Sequence, residues 1–184
     1  MRYERKMRNK SVEILCAGFG GQGIMFMGKL LAQAGLNAGR KVTWMPSYGV
    51  EVRGGTAYSV TKISDGEIAS PLRASPDIVV VMNRPSLEKY QPVVKDGGTL
   101  IVNKTLINDH EKRKGITTVN APLTEWASKL GDAKIANIVA VGIVLKKTKM
   151  ISIKHVLSAL DDILKGKGEL FLLNKKALEK GYRS

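Results

Sequence analysis

The chain has 184 residues, 43% of them apolar and 25% charged, a length and balance that exclude a disordered chain and supply one domain with a real core. Its 30 basic and 16 acidic side chains leave a formal charge of +14, gathered toward both ends, which favours acidic partners. One cysteine, Cys16, permits no internal disulfide, fits a reducing cytoplasm and cannot by itself supply the thiolates of an iron–sulfur or zinc site.

Residues 1–10 are polar and basic, with no apolar segment behind them, so they read as an extension and not as a secretory signal. Val12 to Ala17 is an apolar run expected to form a buried first strand. It enters the turn Gly18-Phe19-Gly20-Gly21-Gln22-Gly23, and Ile24 to Ala38 then follows a helical pattern with Gly28, Ala32 and Gly35 on one side. Gly39 stops that helix, and Lys41 to Met45 reads as a second strand. A glycine-rich loop, Pro46 to Gly55, leads to the strand-like Thr56 to Ile63. The Asp65-Gly66 pair then predicts a hairpin into a short strand at Glu67-Ile68-Ala69.

Asp77 to Met82 is continuously apolar after its first residue, as in a strand buried on both faces. A short helix is expected over Pro85 to Tyr90, a central strand over Thr99 to Val102 and another over Ile116 to Val119. Helices are then expected over Leu123 to Leu130, Ile135 to Lys147, Ile153 to Leu164 and Asn174 to Lys180. The apolar stretch Ile135 to Leu145, broken by Asn137, is too short to span a bilayer, and no membrane partner is expected. The pattern predicts an α/β fold: a three-layer α/β/α domain over 11–184 around a mixed, mostly parallel twisted sheet, Rossmann-like but interrupted by a β-hairpin.

Gly18, Gly20 and Gly23 satisfy G-x-G-x-x-G, where backbone N–H groups and a helix N-terminus can face an anion. A dinucleotide site also needs a carboxylate at the end of the second strand. Here that strand runs into Pro46-Ser47-Tyr48, with no carboxylate before Glu51 and no basic residue to take a 2′-phosphate. Gly18, Gly20, Gly21, Gln22 and Gly23 thus stand as candidate anion contacts, with tight-turn packing as the plain alternative. Loops at the carboxyl ends of neighbouring strands gather at one crevice, so the loop with Tyr48, Glu51, Arg53, Gly54 and Gly55 is expected to meet the glycine turn. Arg53 is suited to bidentate contact with a carboxylate or phosphate, and Asn83 can join the same crevice. His110, in the charged stretch Asp109 to Arg113, is expected at the surface. His155 suits a surface or cap role, and Cys16 reads as an inert core thiol. No catalytic residue and no metal-ligand spacing is assigned.

Several motifs in order carry a family resemblance. They are Gly18 to Gly23, the stretch Ser47-Tyr48-Gly49-Val50-Glu51-Val52-Arg53-Gly54-Gly55-Thr56-Ala57, then Ser70-Pro71, then Met82-Asn83-Arg84-Pro85-Ser86-Leu87. Together they resemble the gamma subunit of 2-oxoacid:ferredoxin oxidoreductases over roughly residues 11 to 180. The loop is most similar to the 2-oxoglutarate and branched-chain 2-oxoacid members. The resemblance implies a subunit of a multi-subunit enzyme that decarboxylates a 2-oxoacid oxidatively with coenzyme A, giving an acyl-CoA, CO₂ and reduced ferredoxin. It places thiamine diphosphate and the iron–sulfur clusters in partner subunits, and leaves this chain an assembly role with CoA as a co-substrate passing near it. The implied partners are the alpha and beta subunits, a delta subunit where one is present, and ferredoxin as electron acceptor. A free-standing dinucleotide-binding protein and a basic nucleic-acid-binding domain remain the alternatives, the second weakened by an aromatic content of 5%.

Overall fold

The computed structural model describes residues 10–47, 56–68, 70 and 75–184. The chain alternates strands and helices: β1 (Ser11–Gly18), α1 (Ile24–Asn37), β2 (Lys41–Ser47), β3 (Ala57–Ser64), β4 (Ile78–Val81), α2 (Arg84–Tyr90), β5 (Thr99–Asn103) and β6 (Thr117–Ala121). Four helices follow: α3 (Leu123–Leu130), α4 (Ala136–Lys147), α5 (Ile153–Ile163) and α6 (Gly168–Arg183). Short 3₁₀ turns lie at Gln91–Val93 and Ala133–Ile135. No helix among the described residues is long and apolar enough to cross a membrane.

The strands form one six-stranded sheet in the order β2-β3-β1-β4-β5-β6. β1, β4, β5 and β6 pair in parallel, whereas β3 is antiparallel to both its neighbours, β1 and β2. The expected mixed, mostly parallel sheet is therefore present, and its antiparallel element is the β2–β3 hairpin. Among the described residues the Asp65-Gly66 turn opens no further strand, since Glu67 and Ile68 are unpaired; Ala69 lies outside the described residues. Instead Asp65 N–H donates to Lys10 O (3.0 Å) and Gly66 N–H to Ser64 Oγ (3.1 Å), tying the end of β3 to the start of β1. Local turn chemistry is satisfied there without a hairpin.

The period of two in the strands divides the core into two unequal layers. Ile14, Cys16, Ile78, Val80 and Ile101 face the larger one, with α1, α3, α4, α5 and α6. Leu15, Ala17, Val79, Val81, Leu100 and Val102 face the smaller one, under α2 and the Gln91–Val93 turn. β4 is buried on both faces, as its unbroken apolar sequence requires. β3 instead presents buried hydroxyls to α1: Ser59 Oγ donates to Ile24 O and Thr61 Oγ1 to Gly28 O, both at 3.1 Å. α1 can lie that close because residue 28 is glycine; a Cβ there would stand 2.4 Å from Ser59 Oγ. α6 begins at Gly168, earlier than the sequence pattern indicates, because Phe171 and Leu173 pack on the larger core.

His110 is half-buried, not exposed, with Nε2 enclosed and without a hydrogen-bond partner. Its loop is drawn against the Gln91–Val93 turn. Gln91 Nε2 donates to Glu111 O (2.7 Å), and Arg113 donates to the carbonyls of Gln91, Pro92 and Val94 and to Asp96 Oδ1. His155 caps α5 in a capping box, Ser152 N–H donating to His155 Nδ1 at 3.2 Å.

Candidate functional site

In an open α/β sheet, ligands gather outside the carboxyl ends of the strands, where the strand order reverses. Here the chain leaves β1 through α1 toward β2 on one side and returns to β4 on the other, so the crevice lies between β1 and β4. β1 ends in Gly18 and α1 begins after Gly23, which holds φ 71°, a left-handed value that glycine adopts without strain. Gly23 offers α1 no side-chain cap, and no acid stands in the helix's first turn. The positive end of the helix dipole at this edge is therefore not balanced by α1 itself.

The turn is closed from within. Gln22 N–H donates to Phe19 O (3.2 Å), and the Gln22 side chain folds back so that Oε1 accepts from Phe19 N–H at 2.7 Å. The same Oε1 accepts from Asn83 Nδ2 (3.3 Å), while Gln22 Nε2 donates to Met82 O (3.4 Å). Gln22 thus bridges the switch point. A Cβ on Gly18 would meet Gln22 Oε1 at 2.5 Å, so the first glycine makes room for the chain's own side chain there. A pyrophosphate in that seat would have to displace Gln22 from the Phe19 amide.

Further carboxamides extend the framework. Asn83 Oδ1 caps α2 by accepting from Ser86 N–H (2.9 Å). Asn103, fully buried at the end of β5, donates to Met82 O (3.5 Å) and Thr124 Oγ1 (2.9 Å), and its Oδ1 accepts from Thr124 N–H (3.3 Å). Asn137 Nδ2 donates to Gly23 O (3.4 Å). Asn103 and Asn137 carry no site assignment from sequence; their signal is a lone carboxamide that ends or interrupts an apolar run. All these groups are neutral across the accessible pH range, so they position backbone and do not move protons. Cys16, two residues before Gly18, is buried, and burial pushes its thiol up to about 12. Among the described residues no group of three or more His, Cys, Asp or Glu could hold a metal ion.

A cleft of about 200 Å³ opens beside this framework, lined by Gly21, Gln22, Met82, Leu106, Thr124, Ala133, Lys134 and Ala136. Of these Leu106 is exposed. Tyr48, Glu51, Arg53, Gly54 and Gly55 lie outside the described residues. The strand neighbouring β1 is β3, not β2, and the first residue of β3, Ala57, pairs with Gly18.

A family model described as pyruvate ferredoxin/flavodoxin oxidoreductase matches residues 13–184. The 2-oxoglutarate synthase subunit KorC of Methanocaldococcus jannaschii is 36% identical over 181 residues, covering 96% of this chain and 94% of that one. The ketoisovalerate oxidoreductase subunit VorA of Methanothermobacter marburgensis is 33% identical over 94% of this chain, yet the match covers 36% of VorA; in the VorA of Methanothermobacter thermautotrophicus it covers 28%. The chain thus spans about a third of the length of these VorA relatives. Among solved structures, a keto/oxoacid ferredoxin oxidoreductase gamma subunit from Geobacter sulfurreducens superposes with a TM-score of 0.82 at 28% identity, covering 94% of this chain and 96% of that one.

Proposed function

The chain belongs to the pyruvate ferredoxin/flavodoxin oxidoreductase family, and on that premise we propose that it is the gamma-type subunit of a 2-oxoacid:ferredoxin oxidoreductase. Residues 11–184 serve as one gamma-type domain, and 1–10 as a basic extension outside it. The observation that carries the reading is the near end-to-end match to KorC, which covers 96% of this chain and 94% of that subunit. The substrate by the same likeness is 2-oxoglutarate, decarboxylated with CoA to succinyl-CoA and CO₂ while ferredoxin takes the electrons. The complex works in the cytoplasm, with alpha and beta subunits, and a delta subunit where present, as partners; neither membrane nor nucleic acid takes part.

Thiamine diphosphate and the clusters belong to those partner subunits, in keeping with a chain whose one cysteine is buried and protonated. The role of this chain is to hold partner subunits at the carboxyl edge of its sheet and to border the path of CoA. Gly20 and Gly21 present the turn outward, and the uncapped N-terminus of α1 favours an anion beside them. With the Phe19 amide taken by Gln22 Oε1, a CoA phosphate would lie outside the turn, not inside it. Tyr48, Glu51, Arg53, Gly54 and Gly55 are assigned to partner contact, Arg53 as the bidentate anion contact.

Anaerobic purification of the tagged chain from its host tests the reading. Thiamine- and cluster-bearing subunits should co-elute, with CoA-dependent reduction of a viologen dye that is highest with 2-oxoglutarate. Highest activity with a branched-chain 2-oxoacid or pyruvate would reassign the substrate, and a chain that elutes alone and inactive would sink the reading. Arg53→Ala in the assembled enzyme should raise the KM for CoA or weaken subunit association. If neither changes, the loop is structural.

A further inference from the structure

We propose that the cleft beside Gln22 is a socket for one large apolar side chain, leucine or phenylalanine, carried on an acidic surface of the partner polypeptide. The inference rests on the subunit reading above and adds where that partner docks. The cleft measures about 200 Å³. That is below the roughly 300–1,000 Å³ of small-molecule sites, but it suits a single interface anchor. Its walls are largely apolar, from Met82, Leu106, Ala133 and Ala136.

Its floor is fixed before any partner arrives. Gln22 is held at the Phe19 amide, at Asn83 and at Met82 O, and Thr124 is held twice by Asn103. An anchor entering a preorganised socket loses little to ordering of the walls. At the mouth, Leu106 is 50% exposed. A large exposed apolar side chain on the wall of an apolar cleft marks a contact surface more than scattered exposure does.

Charge selects the occupant. A second copy of a chain with net charge +14 would be repelled. Arg84, Lys104 and Lys134 are exposed at this same edge. Of the nearby acids Glu125 is paired with Lys129 Nζ (2.6 Å), and Asp132, whose Oδ1 accepts from Lys134 N–H (2.8 Å), offsets one of these three cations. Unspent positive charge around an apolar hole fits carboxylates around an apolar anchor. Length points the same way. In the VorA relatives the matched region is 36% and 28% of the chain, so there this domain has a further polypeptide beside it.

The test uses the complex, with the tagged chain co-expressed with its thiamine- and cluster-bearing subunits and purified anaerobically. Leu106→Glu places a charge at the mouth, and Ala133→Trp fills the cleft from an exposed wall position without entering the core. Each should lower the co-purified partner at least about tenfold, the effect of losing an interface anchor. The isolated variants should keep the circular dichroism and melting temperature of the wild type. Leu36→Glu, at the opposite end of α1, should change nothing. A photo-crosslinker at position 106 should label a partner peptide with leucine or phenylalanine among acidic residues. Full retention of the partner by both variants overturns the socket but leaves the subunit reading standing, as does disruption by Leu36→Glu alone or a crosslink to a basic peptide. A wild-type chain that retains no such subunit overturns both.

Discussion

The two ends of the sheet are held by different chemistry. At the carboxyl edge the ties are neutral carboxamides, Gln22, Asn83, Asn103 and Asn137, each bonded to backbone or to another side chain. At the opposite edge they are ions: Glu13 with Lys62 (3.1 Å), Asp77 with Lys95 (2.7 Å) and Asp96 with Arg113 (2.8 Å). A neutral framework adds no negative charge to an edge whose helix N-terminus and basic rim attract anions or acidic partners. The charged edge has no such duty, and its ties respond to salt and to loss of a partner.

Within the charged edge, burial decides which tie matters. Glu13 and Lys62 are cross-strand neighbours on β1 and β3, with side chains only 10% and 14% exposed, and Glu13 Oε1 has no hydrogen-bond partner. Glu13→Ala would leave the Lys62 ammonium enclosed with the Ser70 carbonyl as a remaining acceptor. It should destabilise by about 3 kcal/mol, the lower end for a broken buried pair. Replacing both by Leu and Met should return stability to within about 1 kcal/mol of wild type, because no ion then has to be desolvated at this site. Urea unfolding of the single and double variants checks this. If Glu13→Ala is neutral, the two edges do not differ in the way argued.

Asn103→Ala tests the neutral edge. It removes the acceptor of Thr124 N–H and the donor to Met82 O and Thr124 Oγ1 at a site with no solvent access. The expected cost is about 2 kcal/mol, and it should not vary with salt between low and physiological ionic strength. Lys95→Ala breaks an exposed pair and should cost no more than about 0.5 kcal/mol, a cost that fades as salt rises. A salt-dependent Asn103→Ala, or a Lys95→Ala costing as much, would erase the contrast.

Sequence carries the elements better than their neighbours in space. Ile78–Val81 is legible as a strand because both faces of β4 are covered, which leaves no polar position in it. Asp65-Gly66 has hairpin chemistry, but β3 had already found its antiparallel partners in β2 and β1, so the turn only returns the chain to Lys10. Nothing local in β3 states that it will insert between β1 and β2. The same holds at the site. Gly18 to Gly23 announces a tight turn at the helix start, and the missing carboxylate after β2 argues against a dinucleotide. The inward fold of Gln22 depends on Met82 and Asn83, about 60 residues away, and no local pattern encodes it.

Cys16 lies on β1 between the two edges, and so reports which of them yields first. Burial raises its pKa from 9.0 to about 12, so the native chain keeps a proton that the unfolded chain releases. That contribution to stability is fully present below pH 9 and is lost as pH rises from 9 toward about 12, a loss that Cys16→Ala should lack. At pH 8 the native thiol should react with a disulfide reagent only through opening of the strand. Gln22→Ala loosens the turn next to Gly18 but removes bonds at a partly exposed site, so it should speed labelling modestly. Glu13→Ala breaks the buried ion pair that ties β1 to Lys62 of β3 and should speed it more. The reverse order would mean that the glycine turn, and not the ion-paired edge, is the weak end of β1, and that the socket beside Gln22 is soft until a partner fills it.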